Sequence, residues 1–158
     1  MEEAATDLDS HADQCAVGSS LLVVLDYDRP INVSGYNPSG PVAMDIKTVS
    51  AALVYNDPVS GKTLILMVHQ AVSIPDIPHN LLSTMQLRLN DVTINNVPRF
   101  LTDNVTDQTH SLVILIAESN TPYVIPLSIR GVTSTFPTRK PTVEEYETLP
   151  HLSLVGSA

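Results

Sequence analysis

Ile46-Lys47-Thr48-Val49-Ser50-Ala51-Ala52-Leu53-Val54-Tyr55 runs into Asn56-Asp57-Pro58-Val59-Ser60-Gly61 and is answered by Thr63-Leu64-Ile65-Leu66-Met67-Val68-His69-Gln70-Ala71-Val72. β-Branched and aliphatic side chains suit a pleated surface, and the residues between the two runs are turn formers. Proline presets φ, glycine tolerates positive φ, and Asn or Asp bonds to its own backbone. The stretch predicts a long hairpin, out through Asp45 to Tyr55 and back through Lys62 to Val72, with its bend at Asn56 to Gly61. Further strands are predicted outward from it, at Leu21 to Leu25, Val92 to Ile94, Leu112 to Ala117 and Tyr123 to Ile129. Asp28-Arg29-Pro30 and Ser34-Gly35-Tyr36-Asn37-Pro38-Ser39-Gly40-Pro41 punctuate the earlier part of the chain as turns.

With 12 prolines spread through the sequence, long helices have little room. Two short ones fit. Leu82, Met85, Gln86 and Leu89 fall at helical spacing, with Asn90 able to end the helix. A second begins near Thr142, where Thr142-Val143-Glu144-Glu145 has the capping-box form and Pro150 stops the helix, giving a segment near 142–148. No repeat, low-complexity tract or long linker divides the chain, so an all-β single domain over 1–158 is expected.

The 158 residues suffice for one real core, and 43% hydrophobic with 16% charged residues is an ordinary globular composition. Net charge is −9 and the 8 Lys and Arg are scattered, which argues against a direct nucleic-acid partner. Cys15 is the only cysteine, so no intramolecular disulfide forms, and its apolar neighbours Ala16 and Val17 predict a buried structural side chain. No apolar run reaches membrane-spanning length and the acidic start Met1-Glu2-Glu3 lacks signal-peptide character, so a cytoplasmic location with no membrane partner is expected.

The densest polar cluster is Asp7-Leu8-Asp9-Ser10-His11-Ala12-Asp13, directly before an apolar stretch. Carboxylates at alternate positions resemble a calcium loop, but Ala12 stands where that loop needs its glycine and Gly18 where it needs its glutamate. A solvated terminal loop is the bland alternative. His69, His79, His110 and His151 show no ligand spacing, so neither a metal nor a cofactor is expected, and no Gly-x-Ser-x-Gly elbow or phosphate-binding glycine loop occurs.

Leu8-Asp9-Ser10-His11-Ala12 has the form of the aspartic-protease signature: an apolar residue, Asp, a hydroxyl residue, a small residue, Ala. The hairpin flanks around the Gly35 to Gly40 tip follow it, then Ile74-Pro75-Asp76-Ile77-Pro78-His79-Asn80-Leu81-Leu82-Ser83 leading into a helix that carries Gln86-Leu87. Together these resemble the retropepsin-like proteases of copia-type long-terminal-repeat retrotransposons, with their V-P-x-x-x-x-N-L-L-S stretch and short helix ending in Q-L. Leu8 to Gly18, as L-D-S-H-A-D-x-C-x-x-G, and the segments Ile125 to Val132 and Arg139 to Glu145 are similar to retroelement polyproteins of diatoms, oomycetes and fungi.

The resemblance implies a closed β-barrel with a flap hairpin, and an aspartic endopeptidase that processes a retroelement polyprotein in the cytoplasm or within virus-like particles. It also implies a protease core over 1–95, with a C-terminal β extension over 96–158. Asp-Ser/Thr-x-Ala occurs once, so a two-carboxylate site would need Asp9 from each subunit of a homodimer. Ser10 is then expected to brace the loop, Ala12 to let it pack and Asp13 to pair with a basic group. Gly35, Tyr36, Asn37 and Gly40 would form the flap over a polypeptide substrate, and Asn80, Leu81, Leu82 and Ser83 would support the loop. His11 departs from the usual glycine, and is expected to turn toward solvent or the dimer seam. From another class, a non-catalytic self-assembling protein built on the same fold is the alternative.

Overall fold

The structure is a computed structural model describing residues 3–9, 14–19, 21–26, 31–33, 43–74, 77, 80–96, 106, 109–116, 119–130 and 133–155, and it is mostly β-strand with two short helices. In chain order the strands are β1 (Glu3–Asp9), β2 (Ala16–Val17), β3 (Leu22–Asp26), β4 (Ile31–Val33), β5 (Ala43–Ile46), β6 (Thr48–Asn56), β7 (Thr63–Ser73), β8 (Asn80–Ser83), β9 (Thr93–Asn96), β10 (His110–Ile116), β11 (Thr121–Pro126), β12 (Ser128–Arg130), β13 (Thr133–Arg139) and β14 (His151–Val155). The helices are α1 (Thr84–Leu89) and α2 (Val143–Thr148).

β6 and β7 form the expected hairpin, paired from Asn56 and Thr63 at the turn to Thr48 and Val72 at the base. At the turn, Asp57 Oδ1 accepts from the Val59 and Ser60 N–H groups at 2.8 and 3.2 Å, and Gly61 adopts φ +72°. Tyr123 donates its hydroxyl to Asp57 Oδ2 at 2.8 Å, tying the turn to β11. Both faces of the hairpin are buried, which is why its runs read as continuously apolar. Ala51, Leu53, Tyr55, Leu64, Leu66 and Val68 face the main core. Ala52, Val54, Ile65 and Met67 form the other face, covered by Leu22 and Val24 of β3 and by Tyr146 and Leu149 at α2. Each Val, Leu, Ile or Met side chain among them contributes roughly 1.5–3 kcal/mol on burial.

The principal sheet has the order β12-β13-β1-β8-β2-β7-β6-β3, with β14 added in parallel to β7. β1 lies between β8, which runs parallel to it, and β13, which runs antiparallel. β13 also meets β6, where Arg139 pairs with Val54. Phe136 of β13 is buried edge-on against Tyr55, with ring centroids 6.0 Å apart and planes at 79°, a favoured aromatic geometry.

A second, three-stranded sheet, β11-β10-β9, turns Ile94, Leu112, Ile114 and Ile125 into the same core. β4 and β5 form a separate antiparallel pair, Ile31 opposite Ile46 and Val33 opposite Ala43. Among the described residues, no helix is long and apolar enough to cross a membrane.

Three of the expected elements differ in extent. Lys47 separates β5 from β6, where one run was expected. Leu127 interrupts the run from Tyr123 to Ile129: its N–H donates to the His110 carbonyl at 3.1 Å and its side chain is buried. α1 begins at Thr84 because Asn80 to Ser83 extend as β8 against β1. The second helix keeps its capping box, with Thr142 Oγ1 accepting from Glu145 N–H at 3.1 Å and Glu145 Oε1 accepting from Thr142 N–H at 3.0 Å.

Candidate active site

β1 carries the backbone of Asp9 to its end, in register with Ser83 of β8. Ser10, His11, Ala12 and Asp13 lie outside the described residues, and the chain is described again from Gln14. The described residues on either side of positions 10–13 are therefore held by neighbours remote in sequence. On the far side, Gln14 Nε2 donates to the Gln70 carbonyl at 2.7 Å, and the Cys15 N–H donates to Gln86 Oε1 at 2.7 Å. The Val72 N–H donates to the Cys15 carbonyl at 2.9 Å, and the Ser83 N–H points at Cys15 Sγ at 3.3 Å.

Ser83 thus meets both Asp9 and Cys15 and also starts α1. Its hydroxyl accepts from the Gln86 N–H at 3.1 Å, the contact expected of a serine N-cap. Cys15 is fully buried, as its apolar neighbours predicted, and burial pushes its thiol up to about 12 despite the Ser83 N–H, which acts in the opposite sense.

Earlier on β1, around Thr6, lies a buried polar frame. Thr6 and Thr138 hydroxyls are 2.7 Å apart, the Thr135 hydroxyl donates to the Thr6 carbonyl at 3.1 Å, and Asn80 Nδ2 reaches Thr6 Oγ1 at 3.4 Å. Asn80 Oδ1 accepts from the Gly18 N–H at 3.0 Å. A fully buried amide would be costly without partners, and here both ends of it are engaged. Gly18 packs so tightly beneath Ile77 that a Cβ there would collide with the Ile77 carbonyl oxygen.

Of the expected support residues, Asn80 and Ser83 take these polar roles and Leu82 enters the main core. Leu81, on the opposite face of β8, packs with Ala16, Val72 and Ile74. Gly35, Tyr36, Asn37 and Gly40 lie outside the described residues, although the strands that flank them pair as a hairpin. Gln14, Thr6 and Thr138 received no role from the sequence, and Gln86 entered only through its helical spacing and as part of Q-L. Their partners lie 56 to 132 residues away, beyond any local signal.

The described histidines do not converge. His69 Nδ1 is 2.7 Å from Ser50 Oγ, with burial lowering the imidazole below its ordinary value. His110 is buried beside Thr109, and His151 Nε2 lies 2.6 Å from the Tyr146 carbonyl. His79 lies outside the described residues. Among the described residues no group of three His, Cys, Asp or Glu is arranged to hold a metal ion. No protein-family model, curated protein or solved structure matches the chain.

Proposed function

We propose that the chain is a retropepsin-like aspartic endopeptidase, active as a homodimer with one Asp9 from each protomer, which processes a retroelement polyprotein. The observation that carries this reading is the anchoring of the chain on both sides of positions 10–13. Asp9 stands opposite Ser83 at the end of a strand flanked on both sides, and Cys15 is tied to Ser83 and Gln86 just beyond the loop. Catalysis by a carboxylate pair depends on such fixed placement, because misplacement of the reacting groups forfeits the advantage of proximity.

Across a two-fold axis the two Asp9 carboxyls share one proton, since like charges that close do not both ionise. The ionised member takes a proton from the attacking water while the protonated member donates to the scissile carbonyl oxygen. The resulting gem-diol collapses with a proton passed to the leaving amine nitrogen, so the dyad ends the cycle with the one proton it began with. In this reading the neighbours β13-β1-β8-β2-β7-β6 close into a barrel, a closure that the contact of Arg139 with Val54 supports. The β4–β5 hairpin serves as the flap, holding an extended substrate as an added strand.

Digestion of a peptide library at acidic and neutral pH, with wild type and Asp9→Asn, tests the proposal. Cleavage by the wild type, lost in the variant, is expected. A second reading, non-catalytic self-assembly, is favoured by Leu115 and Val124 exposed on the second sheet. Intact peptides alongside large oligomers would support it instead.

A further inference from the structure

Gln14 and Gln86 are joined to different elements but act on the same point of the chain, the exit of the Asp9 loop. Each pairs with a backbone group, which settles the amide orientation: a carbonyl only accepts and an N–H only donates. Gln14 must present its NH2 to the Gln70 carbonyl, and Gln86 must present its oxygen to the Cys15 N–H. With the contacts from Val72 and Ser83, four hydrogen bonds fix residues 14 and 15 onto β7, β8 and α1.

The residue that receives Gln14 is itself unusual. Gln70 adopts φ 57°, a left-handed conformation that residues with a Cβ rarely take, at a register shift where β7 gains on β6 between Val49 and Ala51. Bulges of this kind redirect the backbone of one strand, and strained residues persist where their surroundings hold them. Here the bulge lies in the segment of β7 whose carbonyl meets Gln14.

We propose that Gln14 and Gln86 are positioning residues that clamp the exit of the Asp9 loop, Gln14 as a hydrogen-bond donor and Gln86 as an acceptor. The catalytic consequence rests on the endopeptidase reading above; the clamp itself does not.

The same exchange, Gln→Glu, separates the two roles with almost no change of shape. Gln14→Glu loses its donor when ionised, and its charge then opposes the Gln70 carbonyl; below a carboxyl pKa of about 4.3 the acid regains an O–H to donate. Gln86→Glu keeps an acceptor for the Cys15 N–H. At pH 6, kcat of Gln14→Glu is expected to fall by about tenfold, the loss of one ordinary hydrogen bond, with KM little moved and the deficit shrinking below pH 4. Gln86→Leu is expected to fall similarly, and Gln86→Glu to stay several-fold above it.

Hydrogen exchange supplies a readout that needs no activity. At pH 6 the amides at the loop exit, residues 14–16, should exchange faster in Gln14→Glu than in wild type, while β6 and β7 keep their protection. The clamp is overturned if Gln14→Glu matches wild type in loop-exit exchange, if Gln86→Glu is as impaired as Gln86→Leu in that exchange, or if protection is lost equally throughout β6 and β7. A wild type that cleaves no peptide would sink the endopeptidase reading, while loop-exit exchange would still decide the clamp.

Discussion

At Gly18 the fold leaves no room for a methyl group: the space a Cβ would occupy belongs to the Ile77 carbonyl, and the Gly18 N–H is committed to Asn80. Backbone can yield there only by breaking the Asn80 frame that also reaches Thr6. Gly18→Ala is therefore expected to destabilise the protein by about 1–3 kcal/mol, seen as a lower denaturation midpoint with an unchanged denaturant slope. Cys15 presents the opposite case, a residue whose chemistry is suppressed by its surroundings. Fully buried and raised to about 12, its thiol stays protonated at neutral pH. Alkylating reagents are expected to leave the native protein unlabelled at pH 7 and to label it stoichiometrically in denaturant. Labelling of the native protein at the rate of a free thiol would contradict the burial.

At the scale of elements, α2 is too short to stand alone and draws its order from its ends. Glu145 closes the capping box and also receives both arms of the Arg139 guanidinium, at 2.9 and 2.6 Å, fixing the helix to β13. The Arg139 hydrogen bonds, followed by the Thr142 N–H, hold the Glu145 carboxyl at about 2 against an ordinary 4.5. A depressed carboxylate contributes stability above its unfolded value and loses it as pH falls through the folded one. Glu145→Gln is thus expected to cost about 1 kcal/mol at pH 7, a partly exposed pair being worth little more, and to approach wild type as the pH drops from 4.5 to 2. A pH-independent deficit in thermal melts would refute this.

That helix was legible because a capping box is a local signature, and the β6–β7 hairpin because its apolar runs are long and its turn is chemically explicit. β1, β8 and β13 were not. Glu3-Ala4-Ala5-Thr6-Asp7 and Thr133-Ser134-Thr135-Phe136-Pro137-Thr138-Arg139 carry little apolar signal, and they are strands because each finds the other across the chain. The same holds at the candidate site. The signature residues from Asp9 to Asp13 could be read in sequence, whereas the hydrogen bonds of Gln14, Thr6 and Thr138 exist only once distant elements meet.

For the whole molecule, charge opposes the association that the proposed activity requires. Each copy carries −9 at pH 7, so two copies repel until salt screens them or acid removes the charge. Dimer affinity measured by sedimentation is expected to rise with ionic strength and as pH falls toward the pI near 4.7, and a salt-independent affinity would contradict it. Thr6 bonds Thr138 at a sequence separation of 132, and the antiparallel edge of β1 is completed only by β13. During synthesis the strand bearing Asp9 meets β8 first and must wait for the far later β13 before its second neighbour arrives. Such non-local pairing slows folding to the order of milliseconds to seconds, and under the endopeptidase reading the delay would act as a timer, withholding a finished site until β13 has been translated.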